Sequence, residues 1–131
     1  MYEDLSPNTR PGERFSQMTR LDDEGAAMLC AQHPNVPGEY LAFLREIGWG
    51  EVRGRILMLY SGLLRPSEVF DEQAATRLFG LLLFGDDMAG YCFAFNPAEG
   101  WSVVGIDSAT GEVEGTARDF ATFIRNWVSK S

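Results

Sequence analysis

An α+β fold, a mainly antiparallel sheet with helices packed against it and a C-terminal helix, is predicted by three features of this sequence. Tyr40, Phe43, Leu44 and Ile47 recur at helical spacing near the start. Phe120, Phe123, Ile124, Trp127 and Val128 do the same near the end. Between them lie three strand-length apolar runs, 79–84, 90–95 and 101–107, separated by turn residues. Helices, then a meander, then a helix is the order of an α+β domain.

Residues 1–20 carry Pro7, Asn8, Pro11 and Gly12 with no apolar period, and read as a poorly ordered lead-in to a single domain over 21–131. Leu21 followed by Asp22, Asp23 and Glu24 marks a helix start, because carboxylates near the free amides of a first turn are favourable. This helix is expected to run to Gln32 with Met28 and Leu29 inward. His33, Pro34 and Asn35 break it, Pro37 opens the second helix, and Gly48 stops that one. Arg55 to Tyr60 reads as a strand buried on both faces and ended by Ser61 and Gly62. Pro66, Ser67 and Glu68 open a short helix or a one-turn loop reaching Arg77.

In the meander, Tyr91, Phe93 and Phe95 share one face, while Cys92 and Ala94 leave room for a helix on the other. Glu112 to Glu114 add a short edge strand whose charges discourage edge pairing. Thr116 with Asp119 approximates a capping box for the closing helix.

Nineteen acidic residues against eleven basic ones leave a net charge of -8 over 131 residues. Such a chain repels nucleic-acid backbones and anionic membrane surfaces and favours a basic protein partner. The excess lies in two blocks, with 6 acidic and 1 basic residue over 21–51 and 7 and 3 over 79–131. No apolar stretch has signal-peptide or membrane-spanning length, so a cytoplasmic location is expected. Two distant cysteines, Cys30 and Cys92, make no disulfide framework and are expected to be reduced and buried.

No catalytic set stands out. The lone histidine, His33, sits in a helix-breaking turn three residues after Cys30, with no orienting partner or oxyanion element near it. Glycine is frequent, but neither GxGxxG nor GxxxxGK[ST] occurs, so no phosphate-binding loop and no cofactor is expected. Asp86, Asp87 and Asp107 fall at strand ends, where aspartate usually serves local turn hydrogen bonds; no metal site is assigned to them. Trp49 and Trp101 sit beside turns, flanked by glycines, and are expected as apolar anchors of a binding surface. The expected partner-binding set is therefore Trp49, Asp86, Asp87, Trp101, Asp107, Glu112 and Glu114.

The run VPGEYLAFLREIGWGEV resembles the Leu-Pro, Tyr, Phe-Leu, Asn-Gly-Gly segment of SMI1/KNR4 (SUKH) domains. LLLFGDDMAGYCFAFNP resembles their Phe-Gly-Asp, Gly, Phe, Phe-Asp strand pair, and VVGIDSATGEVEGTARDFATFIRNWV their last strand, Asp turn and closing helix. The likeness covers residues 22 to 128, with Val36 at the usual Leu, Trp49 interrupting the glycine pair and Asn96 at the usual Asp. The resemblance implies a SUKH fold, and a non-enzymatic binder of the kind whose bacterial members act as immunity proteins, neutralising toxins that are often nucleases. Two rivals go with it: a regulatory scaffold of the fungal SMI1/KNR4 type, and a metal-dependent hydrolase using Asp86, Asp87 and Asp107.

Overall fold

The computed structural model describes residues 1–54 and 57–129. Helix α1 (Asp23–Gln32) begins where Asp22 accepts the Gly25 N–H at 2.7 Å. Helix α2 (Gly38–Glu46) follows Pro37 and buries Tyr40, Phe43 and Leu44, with Ile47 buried just beyond its end. Strands β1 (Gly50–Val52) and β2 (Leu57–Leu64) come next, then short helices α3 (Pro66–Val69) and α4 (Glu72–Arg77). The meander is β3 (Leu82–Asp86), β4 (Tyr91–Asn96), β5 (Ser102–Asp107) and β6 (Val113–Ala117), and α5 (Phe120–Ser129) closes the chain. All six strands form one antiparallel sheet in sequence order.

One face of the sheet presents Leu57, Leu59, Phe84, Phe93, Phe95 and Val103 to α2 and α5. Here Tyr40 meets Phe95 and Phe120 edge-on at 5.1 Å, and Phe43 meets Phe120 at 5.2 Å. Such pairs add about 0.5–1.5 kcal/mol beyond the area they bury. The other face is narrower: Leu83, Cys92, Ala94, Val104 and Ile106 pack under Leu78, Leu81 and half-buried Phe70 of the α3–α4 segment. Small Cys92 and Ala94 admit that cover, as their size predicts.

Several expectations need correcting. The first twenty residues are no loose lead-in: a 3-10 helix over Glu3–Thr9 and the turns after it bury Tyr2, Leu5 and Phe15. Tyr2 and Phe15 stand edge-on to Phe43 at 5.3 and 5.5 Å. The Arg125 guanidinium pairs with both Asp4 carboxylate oxygens, at 3.0 and 3.1 Å, and lies over the Tyr2 ring. Thr19 and Trp49 exchange two backbone hydrogen bonds of 2.8 Å, and a Cβ at Gly48 would stand 2.4 Å from the Thr19 carbonyl oxygen. Gly48, at φ +122°, thus permits the lead-in to lie against the sheet as well as ending α2.

On α1 only Leu29 is buried; Met28 is 59% exposed and Cys30 faces solvent. The α1 apolar residues are contiguous, so a single helix face cannot bury them all. Strand β2 runs past Ser61 and Gly62 to Leu64, its register with β3 shifting between Leu59 and Leu64, so those two residues lie in an irregularity and not at an end. The predicted start of this strand, Arg55 and Ile56, lies outside the described residues. Phe79 is not in a strand at all: it is 90% exposed in the turn before Leu81. Helix α5 is capped by Asp119, which accepts the Thr122 N–H at 2.8 Å, while Thr116 belongs to β6. A second carboxylate, Glu39 of α2, accepts the Phe120 N–H at 3.1 Å and ties the two main helices together.

Candidate functional site

The β3–β4 and β5–β6 turns occupy the same end of the sheet, because Tyr91 pairs with Asp107 at the start of the β4–β5 ladder. Each turn is built by aspartate. Asp86 Oδ1 accepts the Met88 N–H at 2.7 Å, and Asp87 Oδ1 accepts those of Ala89 and Tyr91 at 2.8 and 3.0 Å. Asp107 Oδ1 accepts the Ala109 N–H at 2.9 Å. These bonds stand in for the backbone turn and explain why aspartate occupies all three positions. The two turns are also joined, since Ser108 donates from its N–H (2.9 Å) and its hydroxyl (2.6 Å) to the Gly90 carbonyl.

Two tyrosines brace this end. Tyr60 donates its hydroxyl to Asp86 Oδ2 at 2.5 Å, so both Asp86 oxygens are engaged. The Tyr91 ring lies across Gly105 of β5, and its hydroxyl donates to Glu114 on β6. A Cβ at position 105 would stand 2.3 Å from the Tyr91 hydroxyl oxygen, so only glycine leaves this path open. Burial, the Glu114 hydrogen bond and the surrounding carboxylates push the Tyr91 hydroxyl up to about 12. It therefore stays a neutral donor at physiological pH. A cleft of ≈ 180 Å³ opens beside it, lined by Tyr91, Asp107, Glu112, Val113 and Glu114.

Five of the seven expected site residues, Asp86, Asp87, Asp107, Glu112 and Glu114, thus share one end of the sheet. Trp49 and Trp101 do not join them. Both are half-buried against the main core: Trp49 borders β1 across the sheet from β6, and Trp101 precedes β5 at the end opposite Asp107, about 20 Å away at strand rise. Trp101 takes a left-handed conformation, φ +61°, which sets its ring 5.7 Å from Phe95. The exposed apolar side chains actually at the acidic end are Met88 (49%) and Val113 (46%). Neither is aromatic or flanked by a helical stripe; the signal that would have found them is the place of Met88 inside the Asp86 turn and of Val113 at the start of β6, just past the Asp107 turn.

Among the described residues, no three His, Cys, Asp or Glu side chains are grouped to hold a metal ion, and Asp86, Asp87 and Asp107 each serve their own turn. His33 caps the end of α1, and partial burial, then Arg65, hold its pKa below the ordinary imidazole value. The Cys92 thiol is pushed up to about 11 by burial and by the fields of Asp86 and Asp87, so it is no nucleophile at neutral pH. Among the described residues no helix is long and apolar enough to cross a membrane.

No protein-family model, curated protein or solved structure matches the chain.

Proposed function

We propose that this protein is a non-enzymatic protein-binding module of SMI1/KNR4 (SUKH) type, a bacterial cytoplasmic immunity protein that neutralises a basic, nuclease-type toxin by docking its acidic end on it. The observation that carries the reading is the gathering of Asp86, Asp87, Asp107, Glu112 and Glu114 at the end of the sheet that two interlocked turns close. Their aspartates are fixed by backbone amides and so presented without the entropy cost of a mobile loop. A nuclease keeps a positive surface where it grips phosphate, and an acidic inhibitor gains encounter rate and selectivity by matching it. The sequence likeness to SUKH domains and the α+β architecture agree with this assignment.

The test is association with a purified basic toxin encoded beside this gene. Changing Asp86 and Asp87 together to Asn keeps the Oδ1 acceptors that build the turn and removes both charges, while at position 86 the new amide NH2 must donate to the Tyr60 hydroxyl in place of the oxygen that accepted from it. Association should slow, and its steep salt dependence should weaken, because exposed charges act over only about 10 Å at 0.1 M salt. An acidic partner, or one indifferent to both salt and the double change, would place the interface elsewhere.

A further inference from the structure

The two edges of the sheet are treated differently. On the β1 edge the N-terminal segment supplies backbone partners: Trp49 is bridged by Thr19, and the Arg53 N–H donates to the Arg14 carbonyl at 2.8 Å. Among the described residues none supplies such backbone cover to the β6 edge, and residues 112–116 are all exposed. An uncovered edge presents unpaired N–H and C=O groups to any extended chain that fits.

Its geometry can be read from the ladder. The Asp107 N–H donates to the Glu112 carbonyl at 3.0 Å, and hydrogen-bonded pairs alternate along antiparallel strands, so Glu114, opposite Gly105, also turns its backbone inward. The backbone groups of Val113 and Gly115 then point away from β5 into solvent. A second copy adding antiparallel in the register that pairs Val113 with Gly115 would set Glu114 directly across from its own counterpart, which is unfavourable. A cationic strand in that register meets the opposite charge instead. Glu112 and Glu114 stand two residues apart, the side-chain period of a strand, so Lys or Arg at every second position faces both.

We infer that β6 takes an extended, cationic segment of a protein partner as a seventh strand, paired through the Val113 and Gly115 backbones and selected by Glu112 and Glu114. This rests on the proposed reading of the acidic end as the docking face and specifies its mode. Main-chain pairing supplies affinity in such strand additions, and the alternate side chains supply selectivity. The cleft beside Tyr91 receives a basic side chain from the added strand.

The experiment is an ¹⁵N-resolved titration of the full chain with a capped alternating Lys-Val peptide, beside an alternating Glu-Val peptide. Saturable shifts centred on the Val113 and Gly115 amides, with at least tenfold slower hydrogen exchange there, are expected from the first peptide only. Gly115→Pro removes an outward N–H at an edge position where proline is tolerated, and should abolish these effects. The pair Glu112→Lys with Glu114→Lys should weaken binding at least tenfold, which provides a check if the proline variant folds poorly. Shifts confined to the Met88–Tyr91 turn and unchanged by Gly115→Pro would overturn strand addition while leaving acidic docking intact. No binding of the Lys-Val peptide would overturn it as well. Concentration-dependent dimerisation lost in Gly115→Pro would name a second copy as the occupant and overturn the cationic one. Failure of the acidic reading itself shows separately, as toxin association indifferent to the Asp86 and Asp87 double change.

Discussion

Charge is used in opposite ways at the two regions where this chain concentrates it. Around α2, α5 and the N-terminal segment, charged groups are consumed by the fold: Arg125 clasps Asp4, Arg45 meets Asp23 at 2.5 Å, and Glu39 and Asp119 cap α5. At the turn end of the sheet the carboxylates accept only from backbone amides and tyrosine hydroxyls, and their charge is left facing outward. Arg77 lies beside this end, its guanidinium packed on the Gly111 turn. Removing one of these side chains should therefore cost stability in the first region, whereas neutralising a charge should cost association in the second.

The sharpest contrast is expected in the core beneath the first region. Phe120 is fully buried and touches Tyr40, Phe43, Phe84, Phe95 and Phe123. Phe120→Ala should cost about 3–5 kcal/mol in denaturant unfolding, the range for emptying a large aromatic site. Trp127 is only half-buried, against Phe93 and Phe123, and Trp127→Ala should cost less than Phe120→Ala. Equal losses would mean that α5 docks along its whole length with the same tightness.

Glu39 breaks the comparison more gently. Glu39→Ala removes the acceptor of the Phe120 N–H and should cost about 0.5–2 kcal/mol, as other lost helix caps do. Glu39→Gln keeps an acceptor, and its effect depends on pH. Burial, then the neighbouring Asp119, raise the Glu39 carboxyl above its ordinary value, so the folded state holds that proton more tightly than the unfolded chain. The resulting cost is absent below the unfolded pKa and grows as pH rises through the folded one. Glu39→Gln should thus be at least as stable as the parent at pH 7, with that advantage vanishing below about pH 4, where Glu39 is protonated in both states. A loss at neutral pH as large as that of Glu39→Ala would show that the charge itself is needed.

The two thiols should differ with no change in stability. Cys30 is exposed on α1, whereas Cys92 is buried with its pKa pushed up to about 11. A thiol reagent should modify one equivalent rapidly under native conditions and the second only on unfolding. Modification of both at one rate would mean that the cover of the second sheet face opens readily.

What could be read in advance follows a physical pattern. Helices α2 and α5 were legible because each buries one stripe of large side chains, and the aspartate turns because their chemistry is local. The N-terminal segment was not, since Tyr2, Leu5 and Phe15 reach the core from 3-10 and turn backbone that imposes no helical or strand period. For Trp49 and Trp101 the neighbouring glycines suggested exposure. Gly48 instead lets the N-terminal segment close over Trp49, and the left-handed backbone at 101 folds the second ring onto Phe95. Five carboxylates of the candidate site were thus readable from sequence, and its apolar members Met88 and Val113 were not.

In the proposed docking, the outward charge of the turn end, and not the fold, is what a basic partner would read. It is tested most directly by the association rate of the proposed basic partner with the parent and with the Asp86→Asn, Asp87→Asn double variant, measured across a salt series and paired with unfolding of both proteins. The expected result is a slower, less salt-dependent association of the variant, which stays folded and loses at most about 1.5–3 kcal/mol, the range for a hydrogen bond to a charged group such as that of Tyr60 to Asp86. Unchanged association, or a loss traced to unfolding of the variant, would contradict it.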